Sequence, residues 1–344
     1  MPVSMAVQKF GSTSDGTTVE EIALRLPSGV SASIITFGAV VRDLQIPIPD
    51  GSARRVVLGF HDLAGYLADT AFVGAIVGRN ANRIAHGRFR LDGIDCQLAR
   101  NEGGRHHLHG GPNGFSRRVW SIADHDAASV TLALTSPADD EGYPGAVSVR
   151  CRYRLAAPAT LCVELTAETD APTLMNLAHH SYFTLDHGRP IGSHRLQVNA
   201  SAYTPAGNEQ IPTGEIRPVR DTPYDFRTLT PISDRASPLD TNFVLDHAAG
   251  ELGLAAIVEG GLLRLEAHTT EPGLQVYDGS HLRPSHPGLD GHPHFSQAGL
   301  CLEPQKFPDA INHPHFPSPV LRPGERYRQL TEYRFTPRGR SQDR

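Results

Sequence analysis

Apolar and polar residues alternate along this chain in short bursts and almost never recur every three or four positions. Residues 130–134 (Val-Thr-Leu-Ala-Leu), 147–155 (Val-Ser-Val-Arg-Cys-Arg-Tyr-Arg-Leu) and 161–167 (Leu-Cys-Val-Glu-Leu-Thr-Ala) keep a period of two, which predicts strands with one buried face. Turn-forming runs at 139–145 and 156–159 separate them, so the three should form an antiparallel meander. Further strands are predicted at 31–36, 87–91, 262–267, 273–277 and 327–335, and only residues 61–68 read as a helix, of one or two turns. One more strand starts at Gly299, with Leu300 and Leu302 on one face and Cys301 and Glu303 on the other. Pro304 should prevent further ladder pairing on its own N–H side and leave the Glu303 carboxylate at the end of the strand, where a cleft usually opens.

The pattern is that of an all-β protein, and 33 glycines and 27 prolines spread evenly between the apolar segments agree with it. No linker, charge run or repeat divides the 344 residues, so a single domain over 1–344, with its core at about 10–335, is the simplest organisation. Long loops at 203–225 and 283–298 should lie over it and line a site. A net charge of -5 and a pI near 6.4, without a basic stripe, argue against nucleic-acid binding. No run approaches the ~18 apolar residues of a membrane span, and residues 1–11 lack a signal-peptide pattern, which points to the cytoplasm. Cys96, Cys151, Cys162 and Cys301 have no metal-binding spacing and read as reduced thiols, although Cys151 and Cys162 lie on neighbouring strands and could approach each other.

Polar residues gather at a few places. Gly-Arg-Asn-Ala-Asn-Arg-Ile at 78–84 offers planar multi-donor groups suited to hydroxyl-rich or anionic ligands, without the glycine spacing of a phosphate cradle. Residues 101–111 hold His106, His107 and His109 among four glycines. In an extended chain His107 and His109 would share a face, but two ligands without a partner make a poor metal site, and one histidine serving a pocket is the better reading. At 176–185, alternation sends His180 and Tyr182 to one face and His179 and Ser181 to the other. Asp240 and Gln275 each adjoin an apolar strand. Histidine is the side chain best suited to give or take a proton near neutral pH, which singles out the pair at 179–180.

In order, the segments at 78–84, 107–111 (His-Leu-His-Gly-Gly), 180–183 (His-Ser-Tyr-Phe), 240–243 (Asp-Thr-Asn-Phe), 272–277 (Pro-Gly-Leu-Gln-Val-Tyr) and 302–312 (Leu-Glu-Pro-Gln-Lys-Phe-Pro-Asp-Ala-Ile-Asn) resemble the motifs of the galactose mutarotase (aldose 1-epimerase) family. Gly-Phe-Ser-Arg-Arg-Val-Trp at 114–120 and Thr-Pro-Tyr-Asp-Phe-Arg at 222–227 extend the match over about residues 10–335. The resemblance implies a large antiparallel β-sandwich, or supersandwich, and a cofactor-independent isomerase of carbohydrate metabolism that interconverts the α and β anomers of free hexoses such as galactose and glucose. It makes Glu303 the general base, His180 the general acid, and Asn82, Arg83, His109, Asp240 and Gln275 the sugar-binding groups, with no metal. Its partner would be a small-molecule sugar, with no nucleic acid or membrane, and the protein would act as a monomer or homodimer.

His179, Thr184, Thr241 and Ser116 depart from the commonest residues of that pattern, at positions without an assigned direct role. Three other readings compete. A glycoside hydrolase could use Asp240 and Glu303 as its two carboxylates, but leaves His180 and Arg83 without a necessary role. A sugar-binding module of the same fold would be expected to lose the acid or the base. A sugar-phosphate epimerase needs extra cations, for which Arg79, Arg105 and Arg117 are the candidates.

Overall fold

The computed structural model describes residues 7–186, 188–235, 238–283 and 285–338, and so omits residues 339–344 of the arginine-rich end. Among these, the meander forms as expected: Ser129–Ser136, Val147–Ala156 and Thr160–Thr169 pair in antiparallel succession. They belong to a nine-stranded sheet in which Tyr327–Pro337 pairs with Thr160–Thr169 on one side and with Leu263–Thr269 on the other. A six-stranded sheet runs in the order Tyr182–Phe183, Leu300–Gln305, Gly273–Tyr277, Asp240–Leu245, Ala200–Thr204 and Arg217–Pro218. The strands from Val7–Ser12 to Ala53–Arg55 make a five-stranded sheet of consecutive neighbours.

One hydrophobic cluster joins all three sheets. It takes Ile22, Ile34 and Leu44 from the five-stranded sheet, Leu132, Val149 and Leu165 from the nine-stranded sheet, and Phe243, Leu274 and Leu302 from the six-stranded sheet. Covering both inner faces in this way gives the layered arrangement of a β-sandwich. The α-helix among the described residues is Leu63–Ala68, with the Asp62 side chain accepting the Gly65 N–H as an N-cap. None there is long and apolar enough to cross a membrane.

One expectation needs correction, and one open question, the approach of Cys151 to Cys162, has its answer. The Leu300–Gln305 strand does not end at Pro304, which pairs with Leu274, and Gln305 still pairs with Gly273. Tyr182–Phe183 covers only Leu300 and Cys301 on the other side, so the later residues have an open edge that tolerates a proline. Glu303 therefore lies within the strand, over the body of the sheet. Cys151 and Cys162 do not meet. Cys151 pairs with Leu165 on the core face, whereas Cys162 pairs with Arg154, and all four cysteines are free.

Candidate active site

Strand register explains how distant polar residues converge. Asp240 pairs with Tyr277, and Tyr277 with Cys301; Asn242 pairs with Gln275, and Gln275 with Glu303. Positions two apart on a strand point the same way. Asp240, Gln275, Cys301 and Glu303 thus rise from one face of the six-stranded sheet, while Phe243, Leu274, Val276, Leu300 and Leu302 fill the core behind it. The Tyr333 hydroxyl donates to the Leu302 carbonyl at 3.0 Å, and Gln329 Nε2 donates to the Pro304 carbonyl at 2.6 Å, bracing the Glu303 strand from the nine-stranded sheet.

The opposite wall comes from loops held by short ladders, Arg83–Ile84 with His107–Leu108 and Ile76–Val77 with Ala178–His179. Asn82 and His109 both adopt left-handed backbone, with φ of 58° and 49°. They bind each other twice: the His109 N–H donates to the Asn82 carbonyl at 3.0 Å, and the Asn82 N–H donates to His109 Nδ1 at 3.1 Å. His109 consequently carries its proton on Nε2 when neutral. Gly110 follows with φ of 86°, and a Cβ there would sit 1.7 Å from the Gly78 carbonyl oxygen, so only glycine lets the chain pass. Arg83 is oriented by Glu102, with Nε donating at 2.8 Å to Oε2 and at 3.0 Å to Oε1. The far end of the Glu303 motif secures that turn: the Asp309 N–H donates to the Arg83 carbonyl at 2.9 Å, the Ala85 N–H donates to Asp309 Oδ1 at 3.0 Å, and Asn312 Nδ2 donates to the same oxygen at 2.7 Å.

Asn82, Arg83, His109, His180, Asp240 and Glu303 all line one cavity of about 390 Å³. His180 Nε2 lies 3.7 Å from Glu303 Oε2, and the rings of His109 and His180 are 5.3 Å apart, with the Phe72 ring packed against both. Glu303 is 2% exposed and His180 4%. Burial pushes the Glu303 carboxyl well above the ordinary carboxylate range; the Asp240 charge adds to this and Arg83 opposes it. Burial also drives the His180 imidazolium down to about 4, and His109 well below the usual histidine value. Asp240 is raised too, chiefly by burial and against the pull of Arg83. Gln275 stands one step back. Its Nε2 donates to Asp240 Oδ1 at 2.6 Å, and it lines an adjacent cavity of about 300 Å³ that shares Asn82, Arg83 and Asp240 as its wall.

Other candidates lie elsewhere. His107 does not share a face with His109, because the left-handed turn at His109 breaks the extended geometry; its Nδ1 meets the Ala99 carbonyl at 2.8 Å and its Nε2 the Tyr143 hydroxyl at 2.7 Å. His179 faces the core among Tyr153, Phe183 and Tyr333, opposite to His180 as alternation requires. The three arginines considered for a phosphate are already engaged: Arg79 is buried against Ser136 and the Pro137, Pro144 and Gly145 carbonyls, Arg105 pairs with Glu209, and Arg117 binds the Tyr66, Leu67 and Asp69 carbonyls. Phe72, Glu102 and Cys301 were not among the expected site residues. Phe72 opens an apolar run and Glu102 lies in a glycine-rich loop, neither with a spacing that marks it; Cys301 did have a signal, since it shares a strand face with Glu303.

His109, His180 and Glu303 bring ligand atoms within 4.8 Å of one another, the arrangement of a two-histidine, one-carboxylate metal site. The donor set fits poorly. Because His109 Nδ1 accepts the Asn82 N–H, its cavity-facing nitrogen holds a proton and would have to become imidazolate to ligate. The arrangement suits hydroxyl groups: N–H donors on one side, two carboxyls on the other, and apolar ring faces between.

The family model for aldose 1-epimerase matches residues 20–334. The galactose mutarotase of Bos taurus is 37% identical, with 97% of this chain and 99% of that one covered. The aldose 1-epimerase of Escherichia coli (strain K12) is 35% identical, with 93% and 96% covered. Among solved structures, the GalM/aldose epimerase homologue from C. elegans superposes with a TM-score of 0.88 at 30% identity, over 93% of this chain and all of that one. The galactose 1-epimerase from Lactobacillus acidophilus NCFM gives 0.84 at 25% identity, over 98% and 100%.

Proposed function

Because the chain belongs to the aldose 1-epimerase family, we propose that it interconverts the α and β anomers of free hexoses, with galactose and glucose as its first substrates, and that Glu303 and His180 are its base and acid. A buried carboxyl and a buried imidazole 3.7 Å apart in one cavity carry this assignment. Glu303 takes the proton of the anomeric hydroxyl while His180 Nε2 gives one to the ring oxygen. The bond between the anomeric carbon and the ring oxygen breaks, leaving an aldehyde and a free hydroxyl. Rotation about the first carbon–carbon bond and reversal of both transfers close the other anomer.

At rest burial leaves the shared proton on Glu303; the reactive tautomer, carboxylate and imidazolium, forms when that proton passes to His180 Nε2, and the pair returns to a neutral acid and a neutral imidazole as the ring opens. Burial favours that direction on both partners, raising Glu303 and lowering His180, so each transfer is drawn towards the open chain. His109 Nε2–H and Arg83 supply donors and Asp240 an acceptor for the remaining hydroxyls, which would hold the ring and then the open chain in place. Gln275 serves that set by fixing Asp240. The proton ledger closes without a metal or organic cofactor.

A cytoplasmic setting fits four unpaired thiols. One chain contributes every group in the scheme, so a monomer or a homodimer could perform it.

Polarimetry of freshly dissolved α-D-galactose and α-D-glucose tests the assignment. The wild type should hasten anomeric equilibrium, and folded Glu303→Gln and His180→Asn should each lose about 10²-fold or more. A wild-type protein that leaves every free aldose at its spontaneous rate would refute the reading.

A further inference from the structure

We propose that Cys301 is the positioning residue for His180: its sulfur accepts the imidazole Nδ1–H and leaves Nε2 as the nitrogen that gives and takes the proton. This rests on the acid role of His180 above. Cys301 Sγ lies 3.6 Å from His180 Nδ1, within reach for a sulfur acceptor, while Nε2 on the opposite edge of the ring faces Glu303 at 3.7 Å. The backbone leaves the ring little choice of position. The His180 N–H donates to the Ala75 carbonyl at 2.9 Å, and the His180 carbonyl accepts the Gly74 N–H at 3.0 Å. Phe72, His109 and Tyr182 pack rings around the imidazole at 5.3 to 5.8 Å. Cys301 is itself completely buried, and Tyr182 pairs with it across the sheet.

The arrangement follows from strand period alone. Cys301 and Glu303 stand two positions apart on one face, so a single strand presents an acceptor to one nitrogen and a carboxyl to the other. The proton ledger requires such a partner. Imidazolium holds protons on both nitrogens; when Nε2 yields its proton to the ring oxygen, the neutral ring must keep the one on Nδ1 so that the Nε2 lone pair can take the other back on reclosure. A neutral ring protonated on Nε2 instead could not perform the return step.

The softness of the partner matters as well. A carboxylate in this place would hold Nδ1–H firmly and make the ring more basic, weakening it as an acid. Burial keeps the Cys301 thiol far above its ordinary titration range, so it remains neutral S–H. A neutral sulfur is a weak acceptor, able to set orientation without stabilising the imidazolium strongly.

The test combines anomerisation kinetics across pH with ¹⁵N NMR of histidine-labelled protein. Cys301→Ala should lower kcat by about 10- to 100-fold with KM changed less than about twofold. Cys301→Ser should recover part of that loss and move the acid limb of the pH profile upward, since a hydroxyl oxygen accepts N–H more strongly. The neutral wild-type His180 ring should be protonated on Nδ1. A folded Cys301→Ala with wild-type kcat and an unmoved acid limb, or a neutral His180 protonated on Nε2, would overturn the proposal. If Cys301→Ala fails to fold, the wild-type tautomer and Cys301→Ser decide. Should the wild type prove inactive on free aldoses, the acid–base reading fails instead, and the tautomer still reports on the sulfur contact.

Discussion

At the residue scale, the proposed reaction depends on one proton shared by Glu303 and His180, so its pH dependence belongs to the pair. A second proton stops it: His180 titrates down to about 4, and the rate should fall as pH drops through that region. Loss of the shared proton stops it at the other end, at a pH well above the ordinary carboxylate range, because burial raises Glu303. The expected profile is a plateau through neutrality with limbs on both sides, measurable as kcat against pH. Arg83 offers a second check. Its guanidinium is aimed by Glu102 through a two-oxygen contact, so Glu102→Gln should raise KM by about tenfold, near the value of one charge-assisted hydrogen bond, and change kcat much less. Equal losses in both constants would mean that Glu102 supports the chemical step.

At the element scale, the site joins two kinds of structure with different legibility. The sheet that carries Asp240, Gln275, Cys301 and Glu303 was readable, because period-two alternation states which residues share a face. Its register was not, since no local pattern says that Glu303 stands beside Gln275; the core behind both strands decides that. The Asn82 and His109 loops were readable only as motifs. Their shape depends on left-handed residues and on contacts to remote chain, such as the Asp309 carboxylate with the Ala85 N–H, 224 residues apart in the sequence. Extended-chain geometry therefore does not describe the His107–His109 turn, and a proline rule placed the end of the Glu303 strand too early. The same loops make a sharp prediction. Gly110→Ala would force a Cβ onto the Gly78 carbonyl and displace His109 beside it. Chemical denaturation should record a loss of about 2 kcal/mol or more, with activity reduced in whatever fraction remains folded. An unchanged midpoint would show that the turn can relax.

At the scale of the whole molecule, the sandwich buries several histidines as neutral rings: His107 is driven to about 4, His179 to about 3 and His180 to about 4, each chiefly by burial. The unfolded chain binds protons at these positions from about 6.5 downward, whereas the folded protein does not. Their contribution to stability is thus complete above about pH 6.5 and is lost as pH falls towards the folded values. His179 sits outside the cavity, with Nε2 on the Ser181 hydroxyl at 2.9 Å. Folded His179→Asn should make the decline of unfolding free energy between about pH 6 and 4 shallower by about 1.4 kcal/mol per pH unit, the linkage of one proton. An unchanged slope would mean that His179 is protonated in the native state. The arrangement of the nine-stranded sheet has a further bearing on how the protein is made. Tyr327–Pro337 is the last of the described strands to leave the ribosome, yet it occupies the middle of the sheet, joining Thr160–Thr169 to Leu263–Thr269. Until it emerges, each of those strands presents an open edge of unpaired backbone groups to neighbouring chains. A nascent chain interrupted before this strand would expose both edges and lack the Tyr333 and Gln329 contacts that brace the Glu303 strand, an aggregation hazard with an unsupported site.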